Sequence, residues 1–174
     1  MDKVIFILGG ARSGKSHFAV NMAKNAKKVA FIATCLPQDK EMKRRVALHK
    51  KTRPAHWQTF EEPEEIPILL KKIGSRFEVI IIDCLTLLVS NFMLQDIKGN
   101  SIENRIKEML SVLRKIKAKS IIVSNEVGLG IVPVNKLARN FRDIVGRVNQ
   151  IVAEESDEVL FMISGIPLKV KTRR

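Results

Sequence analysis

The run Ile5-Phe6-Ile7-Leu8-Gly9-Gly10-Ala11-Arg12-Ser13-Gly14-Lys15-Ser16 restricts this chain more than any other stretch. Apolar residues stop at a glycine, small residues follow, and a helix-compatible pattern resumes after Gly14-Lys15-Ser16. That order predicts strand, loop and helix start, with the spacing G-x-x-x-x-G-K-S. Glycines let such a loop curl with its N–H groups pointing inward. The helix N-terminus adds unpaired donors and a partial positive charge, so phosphate oxygens are favoured there. Lys15 then reaches the β/γ-phosphates as a mobile point charge, and Ser16 presents a hydroxyl to Mg²⁺.

The remaining pattern builds a sheet around that corner. Apolar runs at Val29–Ala33, Val79–Asp83, Ser120–Asn125 and Glu158–Ile163 predict strands, and Trp57–Phe60 alternates as a shorter one. Val79-Ile80-Ile81-Ile82 has no polar alternation, the habit of a central parallel strand buried on both faces. Helical spacing is expected over 15–25, 39–51, 64–74, 85–94, 101–117 and 134–154. In the first of these Phe18 and Met22 face inward, with His17 a candidate core residue; Ser101 is a plausible N-cap of the fifth. Strand and helix alternate throughout, so the expected class is α/β, a mostly parallel central sheet with helices on both faces.

The chain has 174 residues, 45% of them hydrophobic, enough for one substantial core and short for two. One domain is expected, with 169–174 a mobile basic tail. No apolar stretch approaches the roughly 18 to 20 residues of a membrane span, and the N-terminus enters a strand directly, so the expected location is cytoplasmic. Cys35 and Cys84 each follow a strand and suggest neither a zinc site nor a disulfide framework. The net charge of +13 fits nucleic acid, anionic small molecules or a solvated lysine surface. Aromatic residues make up only 5% and tyrosine is absent, which leaves few stacking platforms for nucleic acid.

Three further places bear chemistry. Asp83 ends a central strand, where open parallel sheets bind ligands, and beside a phosphate loop it can hold Mg²⁺ or cap the next helix. His49 lies in a basic helix on the face of Met42 and Val46, or at its edge. A neutral imidazole is a competent nucleophile towards phosphorus, and Lys50, Lys51 and Arg53 could offset a phosphate's charge; by residue type alone a solvated side chain is the commoner case. Asn125-Glu126 follows a strand and either orients a substrate or terminates the strand. Arg139, Arg142 and Arg147 lie on the helix beyond, as anion contacts or a solvated face.

Taken together, these residues resemble the bifunctional adenosylcobinamide kinase and adenosylcobinamide-phosphate guanylyltransferase family of cobalamin nucleotide-loop assembly. The segments are Gly9 to Ser16, Ile32-Ala33-Thr34, Glu41-Met42 with Arg45 and His49, and Arg53-Pro54-Ala55-His56-Trp57. Asp83-Cys84-Leu85-Thr86-Leu87, Val89-Ser90-Asn91, Ser124-Asn125-Glu126-Val127-Gly128 and Gly130-Ile131-Val132-Pro133 follow. The last are Arg142-Asp143 to Asn149-Gln150 and Ser164-Gly165.

The resemblance implies a phosphate-loop NTPase fold of the RecA-like branch, a homotrimer, and two reactions. In one, the cobinamide alcohol takes the γ-phosphoryl group of ATP or GTP. In the other, His49 attacks the α-phosphorus of GTP, expels pyrophosphate and passes GMP to adenosylcobinamide phosphate. It also implies catalytic roles for His49 and Lys15. Nucleotide contacts are implied at Gly9, Gly10, Ala11, Arg12, Ser13, Gly14, Lys15, Ser16, Thr34, Cys35, Leu36, Lys50, Lys51, Thr52, Arg53, Glu61 and Asp83, with Ser16 and Asp83 as Mg²⁺ contacts. Some relatives carry Glu at the position of Asp83, so its partner is either guanine or metal. Lys50 departs from an arginine common in relatives, which keeps charge but loses a bidentate fork. No nucleic-acid partner is implied. A kinase or NTPase acting on another small molecule, or a basic nucleic-acid-binding NTPase, is the competing expectation.

Overall fold

A computed structural model describes residues 3–36, 40–51 and 53–172; among these, the side chains of Lys43, Arg45, His49 and Lys51 lie outside the description. The chain runs β1 (Val4–Gly9), α1 (Lys15–Ala23), β2 (Val29–Ala33), α2 (Lys40–Lys51), β3 (Gln58–Glu61), α3 (Ile66–Ile73), β4 (Val79–Asp83), α4 (Leu85–Leu94), α5 (Gly99–Lys115), β5 (Lys119–Val123), α6 (Lys136–Glu155), β6 (Glu158–Ile163) and β7 (Ile166–Lys171). The strands form one sheet in the order β3-β2-β4-β5-β1-β6-β7. Every pairing is parallel except β6 with β7.

The continuous apolar runs are explained by helices on both faces. Val4 and Phe6 of β1, Ile80 and Ile82 of β4, and Ile122 of β5 point to one side and pack with Leu70, Phe92, Ile106, Leu113 and Val148 from α3 to α6. The alternate residues Ile5, Ile7, Phe31, Ile81 and Val123 point to the other and meet Ala19 and Ala23 of α1 and Trp57. Each fully buried Ile or Phe contributes on the order of 2 kcal/mol relative to exposure, so a one-residue register slip would be prohibitive.

Two sequence expectations are corrected at element ends. The stretch 169–171, expected in a mobile tail, closes strand β7, which pairs with β6 from Ile163↔Ile166 to Val159↔Lys171. Its lysines are used: Lys169 pairs with Glu158 at 2.7 Å, and Lys171 Nζ donates to the carbonyls of Ala153 (2.9 Å) and Glu154 (2.6 Å) at the end of α6. A lysine there satisfies carbonyls that the helix leaves unpaired and complements its dipole. Helix α5 begins at Gly99, with Lys98 rather than Ser101 as N-cap. His17 is exposed rather than core, with Nδ1 3.3 Å from Asn21 Nδ2. The inward residues of α1 are Ala19 and Ala23, with Phe18 and Met22 partly buried beside them.

Candidate active site at the carboxyl edge of the sheet

In parallel strands all carboxyl ends lie on one edge. Register aligns Glu61 of β3 with Ala33 of β2, Ala33 with Asp83 of β4, and Asp83 with Val123 of β5. Val123 aligns with Ile7, two residues before Gly9. The phosphate loop, Asp83 and Glu61 therefore emerge along one rim, although 74 positions separate Gly9 from Asp83 in sequence.

The loop has the geometry its composition requires. Gly9 adopts φ 151°, and a Cβ there would lie 2.6 Å from the Met162 carbonyl oxygen and 2.7 Å from Ser13 Oγ, so only glycine fits between β1 and β6. Gly14 caps α1 in the left-handed region at φ 93°, and Arg12 is also left-handed at φ 57°. Ser13 N donates to Gly10 O at 3.3 Å, closing the loop on itself. Lys15 is buried, and its ammonium donates to Gly10 O at 2.5 Å and to Ser13 Oγ at 3.4 Å. Burial lowers its pKa from the ordinary lysine value, while Cys84 and Asp83 act in the opposite direction. The ammonium thus rests on loop oxygens in the field of Asp83. Ala11 and Arg12 are exposed, and Ser16, at the second position of α1, is half-buried.

Asp83 and its neighbours are held by Thr34. The Thr34 hydroxyl donates to Cys84 O at 2.7 Å and accepts from Cys84 N at 2.9 Å, and Thr34 N donates to Asp83 O at 3.2 Å. Asn91 Nδ2 donates to Thr34 O at 2.8 Å and to Pro63 O at 3.0 Å. Thr34 is fully buried, so its side chain acts on the rim by fastening β2 to β4. Cys35 is half-buried with its thiol pKa raised, by desolvation first and then by Glu61, and Leu36 is 43% exposed. Cys84 is buried and its pKa is pushed up to about 12, chiefly by desolvation and then by Asp83, which makes it inert as a nucleophile.

The carboxyl end of helix α2, the segment whose sequence contains His49, is tied to β3. Lys50, the next residue, pairs with Glu61 at the end of β3. Arg53 lies with its guanidinium 3.5 Å from the centroid of the Phe31 ring and donates from Nη1 to Thr59 Oγ1 at 3.3 Å. Its pKa is lowered by burial, against the opposing fields of Asp83 and Glu61. The carboxyl end of α2 is thereby fastened over β2 and β3 beside Asp83. Thr52 and the side chains of His49 and Lys51 lie outside the described residues.

Beyond β5 the rim is supported by polar side chains that residue-type reasoning did not assign to any role. Ser124 Oγ donates to Asn149 Oδ1 at 2.8 Å and lies 3.1 Å from Thr86 Oγ1. Asn125 N donates to that same Thr86 oxygen at 2.7 Å, and Asn149 Nδ2 reaches Asn125 O at 3.3 Å. Glu126 N donates to Gly9 O at 3.0 Å, which joins this segment to the phosphate loop. Two arginines considered as anion contacts are engaged within the protein: Arg139 Nη1 donates to Pro133 O at 3.0 Å, and Arg147 pairs with Glu103 at 2.8 Å.

The model of the cobinamide kinase / cobinamide phosphate guanyltransferase family matches residues 5–170. The chain belongs to that family. A bifunctional adenosylcobalamin biosynthesis protein of Salmonella typhimurium, CobU, is 39% identical over 97% of this chain and 99% of its own length. The Pseudomonas aeruginosa protein CobP is also 39% identical, over 95% of each chain. Among solved structures, the RadB recombinase aligns with a TM-score of 0.53 over 91% of this chain and 73% of that one, at 15% identity; it supports the RecA-like phosphate-loop fold. The chain is accordingly a kinase and nucleotidyltransferase of cobalamin biosynthesis, with cobinamide and nucleotides as the family's substrates.

Proposed function

We propose that the rim from Gly9 to Glu61 is one nucleotide site serving both family reactions, with His49 as the guanylyl-accepting nucleophile. The observation that carries this reading is the fastening of α2 beside the phosphate loop's rim, by Lys50 on Glu61 and Arg53 over Phe31. On this reading the segment bearing His49 stands on the Asp83 side of the rim, and the α-phosphorus is presented to it once the terminal phosphates sit in the loop.

In the kinase reaction the loop amides and Lys15 hold the β- and γ-phosphates of ATP or GTP. The ammonium exchanges its contact with Gly10 O for phosphate oxygens and offsets charge on the departing diphosphate. The cobinamide hydroxyl oxygen bonds to the γ-phosphorus, the bond to the β–γ bridging oxygen breaks, and the hydroxyl proton is released. In the transferase reaction an imidazole nitrogen of His49 bonds to the α-phosphorus of GTP, and the bond to the pyrophosphate oxygen breaks. An oxygen of adenosylcobinamide phosphate then displaces the imidazole, giving adenosylcobinamide-GDP and restoring the histidine. A P–N bond suits this relay because imidazole is both a good nucleophile and a good leaving group.

The hydroxyl of Ser16 and the carboxylate of Asp83 are hard oxygen donors of the kind Mg²⁺ takes together with substrate phosphates, and both belong to the rim. Mg²⁺ held there would offset phosphate charge. Thr34 supports this site through the backbone, and Cys35, Leu36, Lys51, Thr52 and Arg53 complete its nucleotide side. We assign a homotrimer as the working assembly, supported by the exposed apolar residues Ile166, Leu168 and Val170 of β7.

The test is incubation with α-labelled GTP and Mg²⁺. An acid-labile, alkali-stable label on the wild type that disappears in His49→Ala is expected. A wild-type protein that remains unlabelled while phosphorylating adenosylcobinamide would remove the histidine from the mechanism.

A further inference from the structure

The β6–β7 hairpin sits against the phosphate loop, although its tip lies some 150 positions further along the chain. Gly165 N donates to Ser13 O at 3.0 Å. A Cβ built on Gly14 would lie 3.3 Å from the Gly165 Cα, so the two backbones touch. The Met162 carbonyl of the same hairpin closes on Gly9. Both ends of the phosphate loop therefore rest on β6 and on the turn that follows it.

That turn has a demanding conformation. Ser164 and Gly165 adopt φ 50° and 87°, both left-handed, in the two-residue link of an antiparallel hairpin. This is the arrangement in which paired positive φ values match the strand twist. A Cβ on Gly165 would meet nothing within 4 Å. Glycine is thus required there by backbone conformation and not by crowding. Orienting a carbonyl at Ser13 also orients the peptide that follows it, whose N–H belongs to Gly14 and lies inside the phosphate cradle.

We infer that Gly165 is a positioning residue for phosphate binding: its N–H fixes the Ser13–Gly14 peptide so that the loop amides face the nucleotide. The β6–β7 hairpin is then a working part of the nucleotide site and not only the edge of the sheet. The inference rests on the reading of Gly9–Ser16 as the phosphate site.

The conformational origin makes a sharp test possible. Asparagine tolerates left-handed φ and keeps the N–H, whereas valine strongly disfavours that region. Gly165→Val is expected to weaken Mg²⁺–GTP binding at least tenfold, seen in both Kd and KM, with kcat at saturation changing less than threefold. Gly165→Asn is expected to stay within threefold of wild type in all three. The wild type and Lys15→Ala are measured alongside. If the wild type binds no nucleotide, or Lys15→Ala binds as well as the wild type, the phosphate-site reading itself fails. If both controls behave and Gly165→Val binds GTP within twofold of wild type, or Gly165→Asn is as impaired as Gly165→Val, the positioning role is overturned.

Hydrogen exchange on the wild type covers the case in which Gly165→Val does not fold. The Gly165 amide is expected to exchange at least fivefold more slowly with Mg²⁺–GTP bound, together with the loop amides. Protection of the loop amides without any change at Gly165 overturns the inference equally.

Discussion

At Asp157 three donors converge on one carboxylate. Lys3 N and Val4 N each donate to Oδ2 at 2.9 Å, and Arg114 Nη1 bonds both oxygens at 2.8 and 2.9 Å. Burial alone would raise this carboxyl's pKa, but the hydrogen bonds from Arg114, Val4 and Lys3 outweigh it and hold the group at about 2. A carboxylate depressed in the folded state stabilises fully above its unfolded value near 4, and the contribution is lost as pH falls through about 2. The shift corresponds to about 2 kcal/mol. Asp157→Asn should lower stability at pH 7 by roughly that amount and flatten the acid limb between pH 4 and 2, read from urea midpoints against pH. GTP binding should be unchanged, because this residue secures the amino end of β1, opposite the rim. Residues of this kind show where sequence reading stops. The strand–loop–helix corner from Gly9 to Ser16 was legible because phosphate-loop chemistry dictates residue type and spacing, and Asp83 because it ends an unbroken apolar strand. Arg114 stands among basic residues in the last turn of α5, and only the fold reveals its partner 43 positions away.

At the level of elements, strands were legible wherever burial on both faces wrote an unbroken apolar run. Thus β2, β4 and β6 have the expected bounds, and β5 differs only at its ends. Strand β7 was hidden because it is an exposed edge in which Pro167, Lys169 and Lys171 alternate with Ile166, Leu168 and Val170; the lysines read as a tail. Position α2 was legible as a helix, yet its place over β3 depends on the Lys50–Glu61 and Arg53–Phe31 contacts, which no local pattern encodes. The Thr86–Ser124–Asn149 cluster was likewise invisible, since polar residues at those positions look no different from surface ones. Its members are 5%, 0% and 4% exposed, so each unsatisfied group left by a substitution carries a full desolvation penalty. Asn149→Leu removes the acceptor of the Ser124 hydroxyl, leaving it Thr86 Oγ1 at 3.1 Å, and frees the Asn125 carbonyl. A loss of about 2–3 kcal/mol is expected in chemical denaturation, whereas Ser124→Ala together with Asn149→Leu should cost less than the sum of the single changes.

On the scale of the whole molecule, the chain spreads the parts of the site along one rim and leaves apolar side chains exposed at the sheet's far edge. Ile166, Leu168 and Val170 alternate along β7 and are 70%, 55% and 63% exposed. Ile166 and Leu168, opposite Ile163 (52% exposed) and Phe161, share one face of the edge strand, and Val170 falls at the register shift between Lys169 and Lys171. A contiguous apolar edge of this kind is a liability for an isolated chain, because unpaired strand edges recruit partners. In the proposed homotrimer, closure of this edge by further copies of the chain would remove that liability, and the same hairpin carries Gly165 against the phosphate loop. On that proposal, assembly and nucleotide binding share an element. Light scattering should return about three times the mass of one chain, and replacing Ile166 and Leu168 together by Asp should shift the protein to monomer. Ile166 adjoins the turn at Gly165, so the substituted protein should also bind GTP more weakly, whereas an assembly formed through some other surface would leave the mass unaltered by these substitutions.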